Sequence, residues 1–161
     1  MQFTDPKTYY KNLPQKRMAV GALIFNEQGK ILILKTSYRK YWTIPGGVVE
    51  HNESLLAALI REVKEETNLA FINPKLAALD YCQAKIVNGI QNTESVQVLF
   101  DCGIINPATE LSIKIDGEEI IEFKFCEIAE ALTILGIPIR KRIKSYLEGK
   151  VIVYLENGLK I

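Results

Sequence analysis

The order of elements in this sequence predicts an α/β fold, a sandwich with a mixed β-sheet, and three observations predict it. Short apolar, β-branched runs recur along the chain and read as strands, and two segments carry apolar residues at helical spacing. Strands surround both helices, and no repeat, low-complexity tract or linker separates them, so the 161 residues are expected to form one domain.

Residues 1–16 are polar and interrupted by Pro6 and Pro14, an arm or loop that packs late. From Arg17 to Asn26 the run Met18-Ala19-Val20-Gly21-Ala22-Leu23-Ile24-Phe25 suits a buried strand. Glu27-Gln28-Gly29-Lys30 reads as a turn, and Ile31–Lys35 as the returning strand of a hairpin. A polar, aromatic loop over 36–41 leads to Trp42-Thr43-Ile44 and a hard stop at Pro45-Gly46-Gly47. Ser54 then caps a helix reaching about Thr67, with Leu56, Leu59, Ile60, Val63 and Thr67 as its apolar stripe. Asn68 ends it, because Asn tolerates a left-handed conformation better than any residue but Gly. Extended segments follow at Leu76–Val87 and Ser95–Ile105, joined across Asn88-Gly89, then a strand at Ile120–Phe125 and a helix at Ile137–Glu148. A hairpin over 151–161, turned at Asn157-Gly158, closes the chain.

Composition excludes several chemistries. With 48% hydrophobic and 24% charged residues the chain is neither disordered nor fibrous. Its 20 basic and 19 acidic side chains leave a net charge of +1, so nothing global favours a polyanion, and a nucleic-acid partner is not expected. The single histidine, His51, cannot build a multi-His metal site, and it sits in a charged stretch unsuited to a Ser-His-Asp or Cys-His centre. Cys82, Cys102 and Cys126 lack the spacing of a structural zinc site or a disulfide framework, which suits a reducing compartment. The amino terminus lacks the apolar core of a signal peptide, and no run reaches the ~18 apolar residues that span a bilayer, so a cytoplasmic protein without membrane contact is expected. Monomer and homodimer read alike.

The chemistry is concentrated on the first helix. At 100° per residue, with Glu62 at zero, Glu65 falls at 300° and Glu66 at 40°, while the apolar stripe centres near 130°. Three carboxylates on one face repel unless a cation neutralises them, and Mg2+, a hard ion held by carboxylates and phosphates, is the natural candidate. Pro45-Gly46-Gly47 permits close backbone approach, so a carbonyl can join its ligands. Glu53 precedes Arg61 by eight residues, where the two can form a bracing ion pair.

From Gly47 to Leu69 the sequence GVVEHNESLLAALIREVKEETNL resembles the Nudix box, G-x5-E-x7-R-E-U-x-E-E-x-G-U with U aliphatic. Gly47, Glu53, Arg61, Glu62, Val63, Glu65, Glu66 and Leu69 match. Asn68 stands where the family has Gly, and Asn52 where many members have Gly; the first is expected to alter the exit turn and not the metal site. The flanking strands resemble the rest of the family's α/β/α sandwich over residues 17–150.

The resemblance implies hydrolysis of a pyrophosphate bond in a nucleoside diphosphate joined to another group, either a nucleoside triphosphate or a nucleotide sugar. It implies Mg2+, with Mn2+ as substitute, held by Glu62, Glu65, Glu66 and the Gly46 carbonyl, with one of these carboxylates activating water and Arg61 and Glu53 bracing the loop. A further acid comes in such proteins from a later loop, here Asp116-Gly117-Glu118-Glu119, with Glu119 first and Glu118 and Glu122 as neighbours. Arg17, Lys35, Arg39 and Lys40 are candidates for substrate phosphates, and Trp42, Tyr38 and Tyr41 for stacking on a base, with Trp42 also a packing anchor. Subfamily signatures for ADP-ribose, NADH and dinucleoside polyphosphates are absent; Gln83 and Lys85 occupy two of their positions. Two other readings remain: RNA 5′-end hydrolysis, and a non-catalytic nucleotide sensor, which would ordinarily have lost box carboxylates that this chain keeps.

Overall fold

The computed structural model describes residues 5–70, 74–87 and 89–161. In chain order the elements are α1 (Pro6–Lys11), β1 (Arg17–Asn26), β2 (Ile31–Thr36), α2 (Leu55–Thr67), β3 (Lys75–Cys82), β4 (Ile86–Val87), β5 (Ile90–Gln91), β6 (Ser95–Ile105), α3 (Pro107–Leu111), β7 (Ile120–Cys126), α4 (Ile128–Ile134), α5 (Ile137–Leu147), β8 (Val153–Glu156) and β9 (Leu159–Lys160). Seven strands form one sheet in the order β7-β2-β1-β6-β3-β8-β9, with β4 and β5 a separate ribbon. The sheet is mixed: β1 runs parallel to β6 and β3 parallel to β8, while the other pairs are antiparallel.

Alternation along the central strands divides the core between the two sheet faces. Leu23, Ile31, Ile33, Ala78 and Leu99 pack with Ala131 of α4 and Ile143 and Tyr146 of α5. Ala22, Ile24, Leu32, Leu34 and Ile120 pack with Ala58, Leu59 and Val63 of α2. Helices on both faces make the expected α/β/α sandwich.

The sheet is forked where the loop before α2 enters it. β1 and β2 meet at the hairpin end, Phe25 opposite Ile31, and the segment from Thr43 to Val49 lies between them beyond that point. Thr43 exchanges two hydrogen bonds of 2.9 Å with Leu34 on β2, while Pro45 and Gly47 carbonyls accept from Ala22 and Val20 on β1 at 2.8 and 2.9 Å. The Pro-Gly-Gly stop is therefore a wedge in the sheet.

Several expectations change. The arm holds a short helix, α1, capped by the Asp5 side chain, which accepts from Thr8 N; Met1 to Thr4 lie outside the described residues. α3 and α4 were not expected, and the long extended segment is β3 followed by the β4–β5 ribbon, with Asn88 outside the described residues. On α2 the buried residues are Ala58, Leu59, Val63 and Thr67, while Leu56 and Ile60 are each 46% exposed. The buried face is thus turned by roughly 40–50° from the expected stripe, toward Glu66, at 100° per residue. The closing hairpin, β8–β9, turns at Asn157 and Gly158 with φ of 53° and 76°, as a two-residue turn of this type requires.

Candidate active site

α2 begins where the Ser54 hydroxyl accepts from Ala57 N at 3.1 Å and ends at Asn68, whose φ is 60°. Asn52 also has φ of 60°. Both positions where Asn replaces the usual Gly are thus left-handed, a conformation that Asn tolerates.

Arg61 ties the start of α2 to the wedge. Its Nε and Nη2 bond the two oxygens of Glu53 at 2.8 and 3.0 Å, a bidentate pair, and Nη2 also donates to the Val48 carbonyl at 3.2 Å. Glu53 in turn accepts from Glu50 N at 2.9 Å, and Arg61 Nη1 reaches Glu62 at 2.9 Å and Glu65 at 3.2 Å. The guanidinium hydrogen bond holds the Glu53 carboxyl down at about 2, and Glu53 in turn raises Arg61.

The two glycines make room for the acids. Gly46 N donates to Glu66 Oε2 at 2.7 Å, and a side chain on Gly47 would meet the Glu62 carboxylate at 2.3 Å. Gly46 has φ of 138°, and a Cβ there would lie 2.2 Å from the Val20 carbonyl, so the wedge can sit against β1 only if this residue is Gly. Gly46→Ala is expected to lower stability by about 2 kcal/mol, measured by urea unfolding, and to reduce activity through displacement of Glu66.

Burial pushes the Glu66 carboxyl up to about 8, with the Gly46 hydrogen bond opposing and Glu62 and Glu119 adding repulsion. Glu62 is raised too, chiefly by burial, against the pull of Arg61. Glu65 is different, with a side chain 59% exposed. Partly buried carboxylates that repel one another are the donor set a hard divalent cation neutralises, so these residues fit Mg2+ in chemistry. Among the described residues no three carboxylate, His or Cys groups converge into a ready-made cage.

Glu119 reaches this cluster from the loop before β7. Asp116 Oδ1 accepts from the backbone N–H of Glu118, Glu119 and Ile120, which sets the turn. Tyr38 donates its hydroxyl to Glu119 at 3.1 Å, and Ser37 N bonds the Glu119 carbonyl at 2.9 Å, so the loop over 36–41 is clasped to it. Glu122 lies on β7 opposite Lys35.

On the opposite side of the wedge lies a cleft of about 890 Å³ over β1, β6 and β3, walled by α5 and bordered by Gly46 and Gly47. Arg17, Arg39, Lys40, Lys85, Lys141 and Arg142 line it, with Asp80 as its acid. Arg142 is ion-paired with Asp80, and the other five cations form no ion pair among the described residues. A chain of net charge +1 thus concentrates positive charge here, which draws anions.

The structure brings Arg17, Arg39, Lys40, Trp42 and Tyr41 together in this cleft. Arg39 is also close enough to favour the charged form of Glu66. Trp42 is held by backbone bonds to Ile134 and Gly136 and packs on the core. Lys35 has a different place: its Nζ donates to the carbonyls of Arg39 and Lys40 at 2.6 and 2.7 Å, bracing the loop that carries them. Lys35→Met is expected to raise KM severalfold with kcat little changed, and Lys35→Arg to restore part of it, read in steady-state kinetics. Sequence reasoning missed Asp80 and Arg142; the signal was a charged residue inside the apolar run of β3.

The model of the family described as the NUDIX domain matches residues 15–147. A Bacillus subtilis protein named as an uncharacterised Nudix hydrolase is 40% identical over 53 residues, which are 33% of this chain and 34% of that protein. The chain therefore spans about a third of that relative. An RNA pyrophosphohydrolase of Pelagibacter ubique is 27% identical over 149 residues, covering 87% of this chain and 93% of its own. Among solved structures, the MutT protein of Methanosarcina mazei superposes with a TM-score of 0.68 at 25% identity, over 86% of this chain and 99% of the other. No helix of the described residues is long and apolar enough to cross a membrane.

Proposed function

We propose that this chain, which belongs to the Nudix family, is a cytoplasmic, Mg2+-dependent hydrolase that cleaves a pyrophosphate bond in a nucleotide, either a nucleoside triphosphate or a nucleotide sugar. The carrying observation is the pairing of two features across the glycine wedge: partly buried, mutually repelling Glu66 and Glu62 on one side, and a cation-lined cleft on the other. Phosphates in the cleft meet Arg39 and Lys40, and the scissile bond lies over Gly46 and Gly47.

Glu62, Glu65 and Glu66, with the Gly46 carbonyl and Glu119, are the groups that would hold the cation. A divalent ion there supplies charge neutralisation on the phosphates and a water of lowered pKa. One of the helix carboxylates would orient the attacking water and take its proton, and Arg61 with Glu53 keeps the helix and the wedge in register. Mn2+ suits the same oxygen ligands. The three cysteines, free in the structure, suit a reducing cytoplasm.

The cleft's charge supports a second reading, hydrolysis at an RNA 5′ end, which the name of the Pelagibacter relative carries for that protein. Release of phosphate and pyrophosphate from nucleoside triphosphates, nucleotide sugars and 5′-triphosphorylated RNA, with and without Mg2+, tests both. Metal-dependent release from a nucleotide supports the first reading. Preference for RNA, with affinity falling steeply with salt, selects the second, and nucleotide binding without any release would make the protein a sensor.

A further inference from the structure

Building on the nucleotide-hydrolase reading, the geometry points to a base-recognition subsite around Asp80. It prefers a lactam edge, the C=O beside N–H of guanine, hypoxanthine or uracil, to the amino-bearing edge of adenine or cytosine. Asp80 lies on β3, two strands across the sheet from β1, and the glycine wedge pairs with the far edge of β1, so three strand spacings, about 14 Å, separate the two. That separation leaves room for a sugar between the phosphates and this end of the cleft.

Hydrogen-bond polarity carries the assignment. Asp80 is 1% exposed, and both its oxygens are taken: Oδ2 by Arg142 Nε at 2.6 Å and Oδ1 by Gly158 N at 3.0 Å. The acid is spent inside the protein and its pair with Arg142 is neutral, so the floor here suits an uncharged group better than another phosphate. Arg142 has five N–H donors. Nε goes to Asp80 and Nη2 to Cys82 Sγ at 3.3 Å, and Nη1 has no protein acceptor among the described residues. Its side chain is 7% exposed and forms part of the cleft wall. Nη1 is not sealed from solvent, so the cleft can present it with an acceptor on the ligand.

Asn157 adds a second donor. Its Oδ1 accepts from the backbone N–H of Gln83 at 3.0 Å, a group that can only donate, so the amide is fixed with its NH2 available. Gln97, directly opposite Asp80 on β6, gives Nε2 to Ser95 Oγ at 3.2 Å and keeps its carbonyl oxygen as an acceptor. Donors from Arg142 and Asn157 beside an acceptor from Gln97 complement a ring C=O next to N–H. The amino edge presents the opposite order, which leaves donor against donor.

The test compares kcat/KM for GTP, ITP and UTP with that for ATP and CTP under Mg2+, and repeats the comparison with Asn157→Asp. Asp tolerates the left-handed backbone and keeps an oxygen for Gln83 N, while turning the free donor into an acceptor. At least a tenfold preference for the lactam bases is expected in the wild type, and its loss in the variant with melting temperature unchanged. Equal kcat/KM for all bases, or a preference that Asn157→Asp leaves intact, overturns the subsite while the hydrolase reading stands. Calorimetric titration with GMP and AMP separates the two failures. If no nucleotide is hydrolysed yet GMP binds at least tenfold more tightly than AMP and the variant cancels the difference, the subsite stands and the hydrolase reading falls.

Discussion

Glu66→Gln is expected to lower kcat by at least about 100-fold with the fold intact, because it removes a carboxylate charge from the centre where a cation and two phosphates must be balanced. The amide keeps an oxygen for Gly46 N, now 2.7 Å from the carboxylate, so the wedge has no reason to move. Glu65→Gln is expected to lose most turnover as well, for a partly different reason: Glu65 is exposed and shares Arg61 with Glu62, so its replacement also redistributes the guanidinium. Circular dichroism and unfolding midpoints of the purified variants separate lost chemistry from lost structure. Wild-type turnover in a folded Glu66→Gln protein would remove the acidic helix from the reaction.

The parts of this molecule legible in its sequence are those fixed by local chemistry. β1 and β2 follow from uninterrupted apolar runs around a turn, and α2 from a Ser cap, a carboxylate face and an Asn stop, each settled within a few residues. The missed helices are short, five to seven residues, too brief for periodicity to register. Two had a readable start, since Asp5-Pro6 and Asn106-Pro107 are each a capping residue followed by Pro at the first helical position. The rotation of α2 has a tertiary cause. Counting apolar residues aims Leu56 and Ile60 inward, but the wedge supplies an N–H for Glu66 and a gap for Glu62, and the helix turns its acids toward them.

The candidate site divides the same way. The box residues are contiguous, and their relation to Arg61 was visible as spacing. The cleft is not contiguous: Arg17, Lys85, Lys141 and Arg142 come from β1, the β3–β4 loop and α5, and only the sheet order brings them together. Net charge concealed the cleft for that reason, since 20 basic and 19 acidic residues say nothing about their segregation. Lys35 shows the converse, a cation beside the site whose charge is consumed by two backbone carbonyls.

Without divalent metal, the protein is expected to lose stability as the pH rises from 5 to 8. The Glu66 carboxyl moves from an ordinary 4.5 to about 8 on folding, because burial penalises its charged form. Over that interval the folded state holds a proton that the unfolded chain has released, so each step upward in pH favours unfolding. The benefit is fully present below about 4.5, where both states are protonated, and is gone above 8. The shift corresponds to an upper limit on the order of 5 kcal/mol. Glu62, also raised by burial, acts in the same sense, whereas Glu53 is held at about 2 and contributes its change at lower pH. Urea unfolding in chelator should therefore show a stability several kcal/mol lower at pH 8 than at pH 5, and Glu66→Gln should flatten the profile. A divalent ion favours the ionised carboxylates, so added Mg2+ should raise stability most at pH 8 and least at pH 5. A flat profile for the wild-type protein in chelator would mean that Glu66 is solvated as an ordinary surface carboxylate, and the buried acid on which the metal assignment rests would be lost with it.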